Sequence, residues 1–157
     1  TKRFTSLCHL VLGLGLSLAP IGAYISVTGE FALLPMVYSA IVLTWVSGFD
    51  IIYALQDDEF DRNTGLYSLP AVLSRRKALA VSVILHICTA SFVIMAGIMG
   101  NGGFLFWTGM AIFFTLLVYQ HIIVRPDDLS RVNLAFGTTN GFAGLIFATF
   151  VILDIVL

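Results

Sequence analysis

Apolar residues run along this chain in five long, nearly unbroken stretches, Phe4 to Val27, Phe31 to Leu55, Ala78 to Met99, Phe104 to Val124 and Leu134 to Leu157. Each approaches the roughly 20 residues a helix needs to cross hydrocarbon. Strands of a transmembrane barrel would instead alternate lipid-facing and lumen-facing side chains over segments of about ten residues. The pattern therefore predicts an all-α, polytopic transmembrane helix bundle. Polar breaks separate the spans at Thr28-Gly29-Glu30, at the acidic stretch running through Lys77, at Gly100 to Gly103 and at Arg125 to Asn133. No internal repeat, low-complexity segment or long linker divides the chain, so residues 1–157 read as part of a single membrane domain.

If alternate breaks face alternate sides, all eight basic residues (Lys2, Arg3, Arg62, Arg75, Arg76, Lys77, Arg125, Arg131) fall on one face and none on the other. Retention of Lys and Arg on the inner side makes that face cytoplasmic, in the inner membrane, and puts the Thr28 to Glu30 and Gly100 to Gly103 turns outside. Composition agrees with the lipid bilayer as solvent. The chain is 59% hydrophobic and 11% charged, with a mean hydropathy of +0.99, whereas a soluble domain carries roughly a quarter charged residues. The net charge of -1 says little about partners, and no nucleic-acid patch is present. Cys8 and Cys88 offer no metal-ligand spacing and read as small apolar fillers. Pro20 predicts a kink in the first span. Gly13, Gly15, Gly22, Gly137, Gly141 and Gly144 predict close helix packing.

Chemistry concentrates between Asp50 and Pro70, where Asp50, Asp57, Asp58, Glu59 and Asp61 crowd the end of the second span. Carboxylates beside hydrocarbon need water, a cation or a cationic partner. Asp50, Tyr53, Asp57 and Asp61 are spaced by three, four and four residues, which on a continuing helix confines them to an arc of about 80°. Asp58 and Glu59 fall outside that arc, so Asp57 and Asp61 are the candidate metal ligands. Oxygen donors without nearby His or Cys favour a hard cation such as Mg²⁺, which commonly binds one or two carboxylates together with substrate phosphates. The plain alternative is a solvated acidic loop capping two helices. Asp50 lies about two turns before the loop, where an ionised group faces a cavity or a partner. His86 reads as an interhelical hydrogen-bonding group, and His9 and His121 as ordinary interfacial residues. There is no P-loop, G-x-S-x-G turn or H-E-x-x-H pair.

The sequence Asp50-x-x-Tyr53-Ala54-x-x-Asp57-x-x-x-Asp61-x-x-x-Gly65 resembles the second aspartate-rich motif of the UbiA superfamily of intramembrane aromatic prenyltransferases. Together with Thr1-Lys2-Arg3-Phe4-Thr5 and the loop Arg125 to Asn133, it is most similar to the 4-hydroxybenzoate polyprenyltransferase branch. The resemblance implies nine helices and two acidic motifs in the whole enzyme, with this chain as a C-terminal portion holding helices five to nine. The partner it implies is then the N-terminal four helices with their N-x-x-x-D-x-x-x-D motif. It further implies Mg²⁺-dependent transfer of a polyprenyl group from a polyprenyl diphosphate to an aromatic acceptor, 4-hydroxybenzoate, in quinone biosynthesis, with the fragment inactive alone. By the same resemblance Asp57 and Asp61 bind the metal, Asp50 and Tyr53 line the reacting pocket as catalytic residues, and Lys2, Arg3 and Arg62 contact the diphosphate. Topology anchoring explains those three cations equally well. Asn140 is a pocket candidate. Tyr67 departs from the basic residue that several members carry after the motif glycine. The competing expectation is a non-enzymatic cation-binding transporter or channel fragment, although only Asp50, His86 and Asp154 interrupt the spans, too few to mark a conduit.

Overall fold

The computed structural model describes all 157 residues. It contains five helices long and apolar enough to cross a membrane. In chain order, α1 is Cys8–Thr28 and α2 Leu33–Ala54; two short helices follow, α3 Asp58–Asn63 and α4 Leu69–Leu73; then come α5 Arg75–Met99, α6 Phe104–Ile123 and α7 Asn140–Val156. The bundle is an integral membrane assembly, with the leucines of α1 such as Leu14 and Leu18 turned outward as lipid-facing residues are. Hydropathy located the spans to within a few residues. α1 begins four residues after Phe4, at Cys8; α5 begins three residues before Ala78, because Arg75-Arg76-Lys77 form its first turn; and the last span opens with six π-helical residues before α7 proper. α1 continues through Pro20.

Neighbouring helices alternate in direction, and their contacts define the layers. α1 packs on α2, α2 packs on α5, and α6 packs on α7. One apolar cluster built on Val37, Ile41, Val93, Phe113 and Phe147 fills the bundle's middle. A second, around Ile51, Ile52, Leu55, Ala78 and Val132, sits under the loops at the basic end. Hydrocarbon offers helices no hydrophobic reason to associate, so small polar links matter. Thr89 donates to Thr44 at 2.8 Å across α5 and α2, and Ser82 donates to the Gly48 carbonyl at 2.7 Å.

Of the glycines expected to permit close packing, Gly13 and Gly144 do so. A Cβ on Gly13 would collide with Ser47 and the Leu43 carbonyl, and one on Gly144 would meet Trp45. Gly15, Gly22, Gly137 and Gly141 instead face open space in this chain. The small-residue pattern marks faces with room, and only some are filled.

The apolar-end turns have local causes. Gly29 takes φ +73 and donates to Ile25 O, closing α1, a conformation that costs glycine nothing. Asp154, an acid inside the last span, accepts from Gly103 N at 2.7 Å and Leu105 N at 3.1 Å. It thus satisfies amides at the N-terminus of α6 and complements its dipole. Before α7, Leu134–Thr139 form one π-helical stretch, an irregularity that recurs at functional sites.

Candidate active site at the basic end

The helix through Asp50 does not continue past Gln56. It ends at Ala54, a 3₁₀ turn spans Leu55–Asp57, and α3 starts at Asp58. The single 80° arc expected for Asp50, Tyr53, Asp57 and Asp61 therefore does not form. The tighter winding of the 3₁₀ turn shifts the acids around the helix, and two of the expectations change with it.

Asp58, expected to fall away, is buried and held by Arg75, whose Nε and Nη2 donate to its two oxygens at 2.8 and 2.9 Å. Such a bidentate pair is the strong form of a charge-assisted contact. Arg75 also reaches Glu59 at 3.5 Å. Both acids are thereby committed to tying α3 to the start of α5. His9 is the second change. It is not an interfacial residue but a buried one, 1% exposed, with Nδ1 2.6 Å from Asp50 Oδ2.

Asp57 and Asp61 are brought together after all, through the segment that precedes α1. Lys2 Nζ lies 3.0 Å from Asp61 Oδ2 and 3.7 Å from Asp57 Oδ2. Asp61 is buried and Asp57 half-exposed. Burial pulls the Lys2 ammonium toward neutrality, but its hydrogen bond to Asp61 and the charges of Asp61 and Asp57 outweigh this and hold its pKa above the ordinary lysine value. The strap is fixed by its own backbone: Tyr67 N donates to Lys2 O at 2.7 Å. Gly65, at φ +69, makes the reversal after α3 that allows Tyr67 to return to the strap, a conformation unfavourable for residues with a Cβ.

Two carboxylates meeting on one ammonium nitrogen already share a cation. Their donor set fits Mg²⁺, which prefers oxygen and retains phosphate or water ligands beyond one or two side chains. No group of three or more His, Cys, Asp or Glu side chains forms an all-protein cage. Asp57 and Asp61 are the residues that would hold the metal, from one side.

Beneath the acids an aromatic wall descends into the bundle. Trp45, Phe49 and Tyr53 succeed each other at intervals of four along α2, on one face. Tyr53 stacks on Phe136 with ring centroids 4.1 Å apart, Phe49 meets Phe136 edge-on at 5.5 Å, and Trp45 meets Phe49 at 5.8 Å. Phe136 is positioned by the π-helical stretch. Below Trp45 an apolar hollow of about 260 Å³ opens among Tyr38, Ile41, Phe113, Gly144 and Phe147. Asn140 is buried, its Oδ1 unpartnered, and Gln120 of α6 is fully buried with neither amide atom paired.

The remaining cations lie apart from the Asp57–Asp61 pair. Arg3 borders a hollow with Phe60, Thr64 and Gly65. Arg62 borders another, of about 370 Å³, with Asp58, Glu59, Arg75 and Arg76. Only Lys2 stands between the two acids. Within the spans, His86 Nδ1 and His121 Nε2 share a hydrogen at 2.8 Å across α5 and α6, the interhelical role expected of His86; His121, expected at the interface, is its partner. The His9–Asp50 and His86–His121 pairings carry no signal in linear spacing, because each joins residues on different helices.

Comparison with known proteins places this geometry. Residues 1–151 match the UbiA prenyltransferase family. A 4-hydroxybenzoate octaprenyltransferase of Nitrosospira multiformis is 27% identical over 152 residues, covering 97% of this chain and 52% of that protein. The protein of the same name from Vibrio parahaemolyticus is 28% identical over 147 residues, covering 94% and 51%. The apo structure of a UbiA homologue from Aeropyrum pernix K1 superposes with a TM-score of 0.85 at 30% identity, over 98% of this chain and 57% of that one. The chain thus spans about half the length of the curated relatives it matches. A match covering nearly every residue, with the same helical fold, means that the chain belongs to the UbiA prenyltransferase family.

Proposed function

We propose that this chain supplies the second half of an intramembrane active site that transfers a polyprenyl group from a polyprenyl diphosphate to an aromatic acceptor. The observation that carries the proposal is the convergence of Asp57 and Asp61 on a single cation at the head of an aromatic wall. The relatives' names point to 4-hydroxybenzoate as acceptor and to quinone biosynthesis. The clustering of basic residues favours a cytoplasmic position for the acidic loop in an inner membrane.

Asp57 and Asp61 would hold Mg²⁺ together with the diphosphate, and Lys2, already in contact with both acids, would add a positive charge at that mouth. Mg²⁺, when bound, offsets the negative charge that develops on the departing diphosphate. The allylic carbon–oxygen bond breaks with its electron pair leaving on oxygen. Tyr53, Phe136 and Phe49 present π faces and edges to the cationic allyl group and keep water from it. An electron-rich ring carbon of the acceptor forms the new carbon–carbon bond, and the ring hydrogen then leaves as a proton. Asp50 is the carboxylate placed to receive it, one turn before Tyr53 on the same face of α2. The apolar hollow below Trp45 suits the isoprenoid tail.

A conduit for ions is the weaker reading, since ionisable groups within the spans are engaged locally: Asp50 with His9, His86 with His121, and Asp154 with the amides that open α6. The deciding experiment incubates membranes bearing the complete protein with labelled polyprenyl diphosphate, Mg²⁺ and a panel of phenolic acids. Mg²⁺-dependent prenylation of 4-hydroxybenzoate is the expected result; absence of any prenylated phenol with every acceptor would overturn the proposal.

A further inference from the structure

His9 is buried, one charged partner, Asp50, meets it, and nothing so far uses it. Its two ring nitrogens have different neighbours. The amide of Leu69, the first residue of α4, donates to Nε2 at 3.3 Å, so Nε2 carries a lone pair and the ring hydrogen resides on Nδ1. Nδ1 therefore donates to Asp50 Oδ2, at 2.6 Å. The imidazole is held in this orientation by bonds at both ring nitrogens and by full burial, and α1 is held against α2 by the Ser47 hydroxyl, which donates to the His9 carbonyl at 3.1 Å. Asp50 Oδ1 makes no hydrogen bond to the protein, and its side chain keeps 23% exposure. One oxygen is tethered and the other is open.

We propose that His9 is a positioning residue for Asp50. The Nδ1–H tautomer, fixed by the Leu69 amide on Nε2, tethers Oδ2 and leaves Oδ1 to face the reacting ring. The inference rests on the prenyl-transfer reading, in which Asp50 receives the ring proton. It has a second consequence, because the same imidazole joins α1, α2 and α4. The position of Leu69 at the start of α4 and the aim of Asp50 are thereby coupled. Misplacing a reacting group by about 1 Å costs on the order of 10²-fold.

Three variants of the complete protein in lipid nanodiscs separate aim from packing. His9→Phe fills the space and donates nothing; His9→Asn places an amide N–H where Nδ1 stood; Asp50→Asn removes the charge. His9→Phe is expected to lower kcat by on the order of 10²-fold with the KM for polyprenyl diphosphate nearly unchanged, and His9→Asn to recover most of that loss. In the Asp50→Asn background, His9→Phe is expected to cost nothing further, since the two act as one unit. Equal kcat in His9→Phe and the unsubstituted protein, or additive losses in the double variant, would overturn the proposal. Nitrogen NMR of ¹⁵N-histidine-labelled protein supplies a readout independent of turnover: a neutral His9 protonated on Nδ1 in the unsubstituted protein supports the tether, and protonation on Nε2 refutes it. No turnover in the unsubstituted protein would instead remove the prenyl-transfer reading, leaving the tether to be judged by its tautomer.

Discussion

Asp57 and Asp61 hold the same ammonium but differ in what else depends on them. Asp61 is almost wholly enclosed, and its bond to Lys2 fastens the N-terminal strap; Asp57 is half in solvent with a longer contact. Asp57→Ala and Asp61→Ala are both expected to abolish Mg²⁺-dependent prenyl transfer in the complete protein while membrane insertion persists. Their stabilities should diverge. Asp57→Ala should stay within about 0.5 kcal/mol of the parent, as surface changes do, whereas Asp61→Ala loses a buried charge-assisted bond worth about 1–3 kcal/mol. Assay of product and thermal unfolding in detergent check the two halves separately; full turnover in either variant removes the metal assignment. That Asp57 and Asp61 come together was legible in their spacing of four, since residues one turn apart on a helix are neighbours. Their partner was not: Lys2 lies 59 residues from Asp61, and no spacing rule links a strap to a loop across two helices.

At the scale of elements, spans and the breaks between them were readable because lipid demands long apolar runs, whereas the geometry inside the acidic break was not. The acidic stretch keeps helical spacing in sequence but passes through a 3₁₀ turn, after which Asp58 pairs with Arg75 across the loop. The hinge is held by that pair. Arg75→Leu should leave Asp58 buried without its cation and loosen α3 and α4, at a cost of about 1–3 kcal/mol. Limited proteolysis is then expected to cut between Asn63 and Ser74 faster than in the parent, and unchanged cleavage would show that the pair does not hold the hinge. Ser74, between α4 and α5, takes φ 123, a region that residues with a Cβ rarely visit; packing of α4 against α5 on either side maintains it. Helix packing is similarly local. A Cβ on Gly48 would strike the His86 ring, so Gly48→Val should push α5 from α2 and cost about 1–3 kcal/mol of overpacking, read as a lower unfolding temperature.

Taken as a whole, the molecule is polarised from end to end. Lys2 meets the acidic loop, Arg75 Nη1 reaches Pro126 O at 3.5 Å, and Gln56 donates to Asn133 at 3.2 Å. These contacts gather the strap and both long polar breaks at one end, carrying all eight Lys and Arg. The opposite end holds the Gly29 and Gly102 turns, without a basic residue. This asymmetry orients the protein if basic segments stay on the inner side. In a complete protein with Cys8 and Cys88 replaced by Ala, Tyr67→Cys should react with a membrane-impermeant maleimide only in inverted vesicles, because Tyr67 is exposed beside the acidic loop. Asn101→Cys, at the other end, should react only from outside in intact cells. The proposed chemistry depends on that result: in that reading polyprenyl diphosphate would approach Asp57 and Asp61 from the compartment that holds Mg²⁺ and phosphorylated substrate, while the tail would enter along the aromatic wall from lipid. Reaction of Tyr67→Cys from outside would invert the bundle and place the acidic mouth where no such donor is supplied.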